Sequence, residues 1–140
     1  MQVLVPVDGS DPSDVALEHA FEQFAADSIT ALYVMDPVDG ATAWGPGSAD
    51  DWMAAAEERA DTVLEEAEAM AAEAGIDITT DSVVGRPARG IVDYAEEHDM
   101  EHVVIGSHGR EGVSRVLLGS VAETVVRRSP VPVTVVRHED

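Results

Sequence analysis

The sequence predicts an α/β fold: an open five-stranded parallel sheet, doubly wound, with helices on both faces. Three observations predict it. Short β-branched runs alternate with segments of helical period in the order β-α-β-α-β-α-β-α-β, which calls for parallel strands joined by crossover helices in a Rossmann-like arrangement. Several of the strand-like runs end in turn residues, as at Asp8-Gly9-Ser10, Gly85-Arg86-Pro87 and Gly106-Ser107. The 140 residues are enough for one compact domain spanning 1–140, with no linker or internal repeat to divide them.

Each element has its own warrant. Residues 2–7 are an apolar, β-branched run ended by Asp8-Gly9-Ser10, a buried strand entering a turn. From Pro12 the residues Val15, Leu17, Ala20, Phe21 and Phe24 recur at helical spacing, with Ser10 or Asp11 placed as the cap. Residues 28–35 read as a second strand, and residues 36–48, rich in Gly and Pro, as a loop long enough to be functional. Residues 49–74 are rich in Ala and Glu and lack Gly and Pro, which marks a long helix stopped by Gly75. Residues 76–84 alternate as a strand near a sheet edge does, and Pro87 opens a helix that runs to about His98. A short strand over 102–105, a helix from Gly119 to Arg128 and a last strand over 131–136 complete the chain.

Charge and composition exclude several functions. Eight arginines and no lysine stand against 28 Asp and Glu, a formal net charge of -20. Non-specific nucleic-acid binding draws on Lys and Arg neutralising phosphates, so nucleic acid is not an expected partner, and neither is an anionic membrane surface. The absence of cysteine removes disulfides, thiolate zinc sites and Cys nucleophiles, and fits a cytoplasmic protein. The opening residues lack a basic segment and reach Asp8 too early for a signal peptide, and no apolar run approaches the roughly 20 residues that span a bilayer. With 45% apolar residues the chain is expected to fold despite its acidity. Many acids, no lysine and few aromatics point to a host with molar intracellular salt, such as a halophilic archaeon, where screening shrinks to about 3 Å and the charge is tolerated. An ordinary acidic cytosolic protein is the plainer reading of the same numbers.

In open parallel sheets ligands bind beyond the carboxyl ends of the strands, where the strand order reverses. The residues expected there are Asp8-Gly9-Ser10, Val34-Met35-Asp36, Val84-Gly85-Arg86-Pro87 and Gly106-Ser107-His108-Gly109-Arg110. The last segment continues to Gly119-Ser120 at a helix start. Glycines admit close backbone approach to an oxyanion, and a Gly-Ser helix opening adds unpaired N–H groups, a hydroxyl and the positive dipole end. That combination is suited to phosphate.

The spacing Gly106-x2-Gly109-x9-Gly119-Ser120, after a strand and opening a helix, closely resembles the ATP-binding signature of the universal stress protein family. The resemblance covers nearly the whole chain, including Val5-Pro6-Val7-Asp8-Gly9-Ser10, Leu32-Tyr33-Val34, Gly85-Arg86-Pro87 and Ser129-Pro130-Val131-Pro132-Val133. It implies ATP as ligand. By it, Pro6, Val7, Asp8 and Val34 would hold adenine and ribose, Asp8 accepting from a ribose hydroxyl and the Val34 backbone meeting the adenine edge. Gly106, Gly109, Gly119, Ser120 and Val121 would contact ribose and phosphates. Ser10, in the same turn as Asp8, and Arg110, in the glycine loop, complete the expected site.

A chain of this charge must still accept a polyanion. Arg110 and Arg115 lie in the glycine loop, Arg86 and Arg89 at the neighbouring turn, and Mg²⁺ on the phosphates, held partly by water, would help. For Arg89 a surface ion pair is the better reading. Without lysine there is no Walker P-loop, and no GxGxxG follows the first strand. His98-Asp99-Met100-Glu101-His102 matches HxxEH, but that chemistry needs both histidines on one continuous helix, and here the segment spans a helix end and a strand start. His108 reads as a loop residue, and Ser107 and Ser120 have no adjacent base to activate them.

The last strand, carrying Val131, Val133, Val135 and Val136, would leave an apolar edge unless paired, and the resemblance implies a homodimer through it. The expected function is therefore a nucleotide-binding module of the stress response, acting through loop ordering or an unidentified protein partner, with residues 36–48 covering the nucleotide. A slow ATPase or nucleotidyl transferase, and a nucleotide-free interaction dimer, are the alternatives.

Overall fold

The computed structural model describes residues 1–37, 49–107 and 118–137. Its element order is β1 (Gln2–Pro6), α1 (Asp11–Gln23), β2 (Ser28–Met35), α2 (Ala49–Glu73), β3 (Ile78–Val84), α3 (Pro87–Glu97), β4 (His102–Gly106), α4 (Ser120–Arg128) and β5 (Val133–Val136). The five strands form one parallel sheet in the order β3-β2-β1-β4-β5. This is the expected α/β architecture. The chain winds from β1 outward to β3, then crosses back to β4, so the order reverses between β1 and β4.

The pleat explains why helices cover both faces. Val3, Val5, Val7, Ile29, Ala31, Tyr33, Met35 and Val104 join residues of α1 and α2 in one core. Leu4, Leu32, Val103 and Ile105 join residues of α3 and α4 in the other. Val3, Leu4 and Val5 are all fully buried, as a central strand of a two-sided sheet must be. On α2 the buried residues Ala60, Leu64, Ala67 and Ala71 form one stripe, and three of the four are alanines that let the helix lie close to the sheet. Helices met while winding toward β3 lie on one face and those met while winding toward β5 on the other, so all four connections share one hand.

Several boundaries shift from the sequence reading, each for a local reason. β3 begins at Ile78 rather than 76, because the Ile76 amide closes the end of α2 by donating to the Ala71 carbonyl at 2.8 Å, with Gly75 at φ 73° making the turn. β5 begins at Val133 rather than 131, because the Val131 amide is taken by Ser129 Oγ at 3.1 Å and Pro132 has none to give. β1 ends at Pro6, and Val7 donates once more to the Leu32 carbonyl at 2.9 Å before the chain turns away. Among the described residues no helix is long and apolar enough to cross a membrane.

Candidate functional site

At the carboxyl end of β1 the chain must turn sharply into α1, and Gly9 does so at φ 82°. Ser10 is the N-cap of α1, its hydroxyl accepting from the Ser13 amide at 3.3 Å. Asp8 supports that cap: its Oδ1 accepts from the Ser10 amide at 3.0 Å and from the Ser10 hydroxyl in a short bond. The Asp8 amide donates to Ser13 Oγ at 3.3 Å, and Ser13 Oγ donates to the Ser10 carbonyl at 3.1 Å. Among the described residues Asp8 Oδ2 has no donor, so the half-buried carboxylate keeps one oxygen to offer.

α1 reaches this place because Gly106 has no side chain. A β-carbon there would stand 2.6 Å from the Pro12 carbonyl oxygen and 3.1 Å from Pro12 Cβ. The end of β4 and the first turn of α1 are thus in direct contact at the point where the strand order reverses. Gly106 is needed by this packing whatever else it touches.

On the other side of β1, β2 runs on past it. The β1 ladder ends at Pro6 opposite Leu32, with the Leu32 carbonyl facing β1, while the Met35 carbonyl faces β3 and accepts from the Gly85 amide at 2.9 Å. By strand alternation the N–H and C=O of Val34 face the side that β1 has vacated. The Val34 side chain is gripped from behind: a β-carbon on Gly90 of α3 would lie 3.0 Å from Val34 Cγ1.

α4 begins on the far side of Gly106. Ser107 donates to the Val136 carbonyl at 3.0 Å, and the Gly119 amide donates to the Ser107 carbonyl at 2.7 Å, which ties the helix start to the ends of β4 and β5. Gly119 is the N-cap and supplies no side-chain hydrogen bond to the first turn. Ser120 there is exposed and Val121 half-buried.

The two helix starts differ in kind. α1 opens capped by Ser10, with Asp8, Asp11 and Asp14 around it. Burial first, and then the carboxylates of Glu66, Asp11, Glu18 and Asp8, hold the Asp14 carboxyl above its ordinary range, a sign of accumulated negative potential. α4 opens without a side-chain cap, its first-turn carboxylate being Glu123 alone. An anion is repelled at the first and welcomed at the second, whereas a hydroxyl donor is suited to the first.

A model of the universal stress protein family matches residues 1–137. The chain belongs to the universal stress protein family. It is 37% identical to the universal stress protein MJ0531 of Methanocaldococcus jannaschii, over 97% of this chain and 81% of that protein. The solved structure of MJ0577, another universal stress protein of that organism, superimposes with a TM-score of 0.83 at 29% identity, over 99% of this chain and 96% of the other. A universal stress protein solved in complex with cAMP gives a TM-score of 0.74 at 30% identity, over 99% and 97% of the two chains.

In this universal stress protein, Pro6, Val7, Asp8 and Ser10 sit at the end of β1, Val34 near the end of β2, Gly106 at the end of β4, and Gly119, Ser120 and Val121 at the start of α4. Topology brings these expected residues to one edge of the sheet. Gly109 and Arg110, with His108, Arg115 and Trp44, lie outside the described residues, as does most of the segment 36–48 expected to cover a ligand. The expected help from Arg86 is corrected: its guanidinium lies 3.7 Å from Asp36 at the end of β2, on the opposite side of β1 from α4. Arg89 pairs with Asp93 one helical turn on, at 3.5 Å, the surface ion pair expected of it. His98 and His102 belong to different elements and different partners, His98 Nδ1 lying 3.2 Å from the Tyr94 carbonyl and His102 Nε2 2.7 Å from Thr134 Oγ1.

Two contributors escaped the sequence reading. Ser13 showed only as the second serine of a Ser-x-x-Ser helix start, a pattern that could have signalled it. Gly90 showed as a lone glycine in a helical segment, which is itself a mark of close packing.

Proposed function

We propose that this protein is a cytoplasmic nucleotide-binding module that takes ATP, with Mg²⁺ on its phosphates, across the β1/β4 reversal point. The observation that carries the reading is the contrast between the two helix starts. The acid-lined, capped start of α1 presents Asp8 Oδ2 to a hydroxyl, and the start of α4, which has no side-chain cap, presents main-chain N–H groups to an anion. A ribose phosphate has both groups at the required ends. The Val34 N–H and C=O, facing the space beyond β1, form a donor and acceptor pair suited to an adenine edge. The relative solved with cAMP supports a nucleotide as ligand class.

Two substitutions separate the ends of the ligand. Asp8→Asn removes the carboxylate and is expected to weaken adenosine and ATP alike, by about tenfold, the worth of a hydrogen bond to a charged group. Ser120→Asp puts a carboxylate on an exposed first-turn position, where the helix itself tolerates it. It is expected to weaken ATP about tenfold or more while leaving adenosine binding intact. Equal affinity of both variants and wild type for ATP overturns the assignment.

The reading includes self-association through β5. This strand pairs with β4 on one side and is an edge on the other, and its four residues are only half-buried. Sedimentation of the protein, and of a Val135→Pro variant that removes an amide facing away from β4, tests it; an unchanged monomeric mass for both would contradict it.

A further inference from the structure

We infer that Ser13 is a positioning residue for Asp8, and that through it the first turn of α1 sets how strongly the site prefers ribose over deoxyribose. The inference rests on the nucleotide reading above.

Hydroxyl bookkeeping gives each bond one direction. The single hydroxyl proton of Ser10 goes to Asp8 Oδ1, and the Ser10 oxygen accepts from the Ser13 amide. The single hydroxyl proton of Ser13 goes to the Ser10 carbonyl, which leaves its oxygen to accept from the Asp8 amide. Asp8 is therefore held twice, by its backbone to Ser13 and by its Oδ1 to Ser10, and both serines are bound to each other. Ser10 and Ser13 are 8% and 6% exposed, so water does not readily replace a lost link.

Ser13 has no hydroxyl proton left to donate to a ligand, and at 6% exposed it is buried. Its effect passes through Asp8, whose Oδ2 is the oxygen left over among the described residues. Without the Ser13 hydroxyl the Asp8 amide loses its partner, while the Ser10 carbonyl keeps the Asp14 amide and Oδ1 keeps its two bonds to Ser10, so the backbone that carries the carboxylate is held at one point instead of two and Oδ2 is placed less firmly. A ribose hydroxyl then gains less from meeting it, because the ordering falls on the moment of binding.

The experiment compares ATP with 2′-deoxyATP and 3′-deoxyATP by calorimetry on wild type, Ser13→Ala, Asp8→Asn and the double variant. Wild type is expected to prefer ATP about tenfold or more over the analogue lacking the bonded hydroxyl. Ser13→Ala is expected to lower ATP affinity by about three- to tenfold and leave affinity for that analogue unchanged, so that the preference collapses. Added to Asp8→Asn, Ser13→Ala should cost nothing further, because a residue acting through Asp8 has nothing left to position. Preserved preference in Ser13→Ala, or a further loss in the double variant, overturns the inference while leaving Asp8 as a contact. Should Ser13→Ala not fold, Ser13→Cys, whose thiol is a poor hydrogen-bonding partner, is judged by the same ratio. A wild type that binds no ATP, or binds ATP and both analogues equally, overturns the Asp8 reading itself and this inference with it.

Discussion

A β-carbon on Gly106 would lie 2.6 Å from the carbonyl oxygen of Pro12, so β4 and α1 meet at a point that only glycine can occupy. The contact joins β4 to the helix that follows β1, across the order reversal, and sets where the Asp8, Ser10 and Ser13 turn lies. A glycine that reads in the sequence as a phosphate contact thus has a packing duty of its own.

Gly106→Ala is expected to destabilise the fold by about 1–3 kcal/mol, the usual range for forcing one methyl into packed backbone. It should also weaken ATP, since α1 must shift and carry Asp8 with it. Gly85→Ala is the control, because a β-carbon at Gly85 meets nothing within 4 Å. Urea unfolding of both variants, with ATP titration, checks the pair.

Tyr94 of α3 donates to Asp81 Oδ2 of β3 at 2.8 Å, and burial, followed by that bond, pushes the phenol up to about 12. Tyr94→Phe leaves the half-buried carboxylate short of a donor and should cost about 1–2 kcal/mol by urea unfolding. The pair lies between the outer strand and its covering helix, so ATP affinity should not change. A loss of affinity would mean that α3 communicates with the site through this bond.

The fold was legible because each of its signals is periodic. The alternation of β-branched runs with helical spacing depends on which face each residue buries, and a two-sided sheet leaves that record in every strand. Much of the site was legible for a different reason: strand ends and helix starts are marked by Asp8-Gly9-Ser10 and Gly119-Ser120, residue types chosen by turn and cap geometry. What did not show was which group bonds which. Ser13 acts through two bonds within its own turn, Arg86 goes to Asp36 rather than to the start of α4, and Gly90 fits against Val34 across 56 positions of chain. Such pairings depend on the packed arrangement of distant elements, and spacing along the chain does not encode them.

His102 contacts Thr134 across β4 and β5 and the ring of Phe24 at 5.1 Å, and burial holds its pKa below the ordinary imidazole value. The unfolded chain, titrating near about pH 6.5, then binds the proton more readily than the folded one. This contribution to stability is complete above that value and is lost as the pH falls through the lower, folded one. Between pH 7.5 and 5.5, wild type should lose more stability than His102→Gln, the carboxylates being common to both. Parallel unfolding curves for the two proteins would contradict the assignment.

Salt should act on ATP binding with an unusual sign. Most phosphate sites weaken as salt screens their cations, but a chain of net charge -20 repels the ligand over a longer range than the start of α4 attracts it. Raising KCl from 0.1 to 1 M, which shortens screening from about 10 to 3 Å, should strengthen ATP binding several-fold. Weakening over the same range would show that local cations govern the site.

The most direct test is calorimetric titration of ATP with Mg²⁺ into nucleotide-stripped protein in molar KCl, with the unfolding temperature followed in parallel. The account predicts saturable binding at one site per chain. At a ligand concentration about 100 times the dissociation constant, it also predicts stabilisation of about 2.7 kcal/mol. No heat of binding and no shift in unfolding temperature would contradict it, and would leave the glycines and Asp8 as turn and packing residues alone.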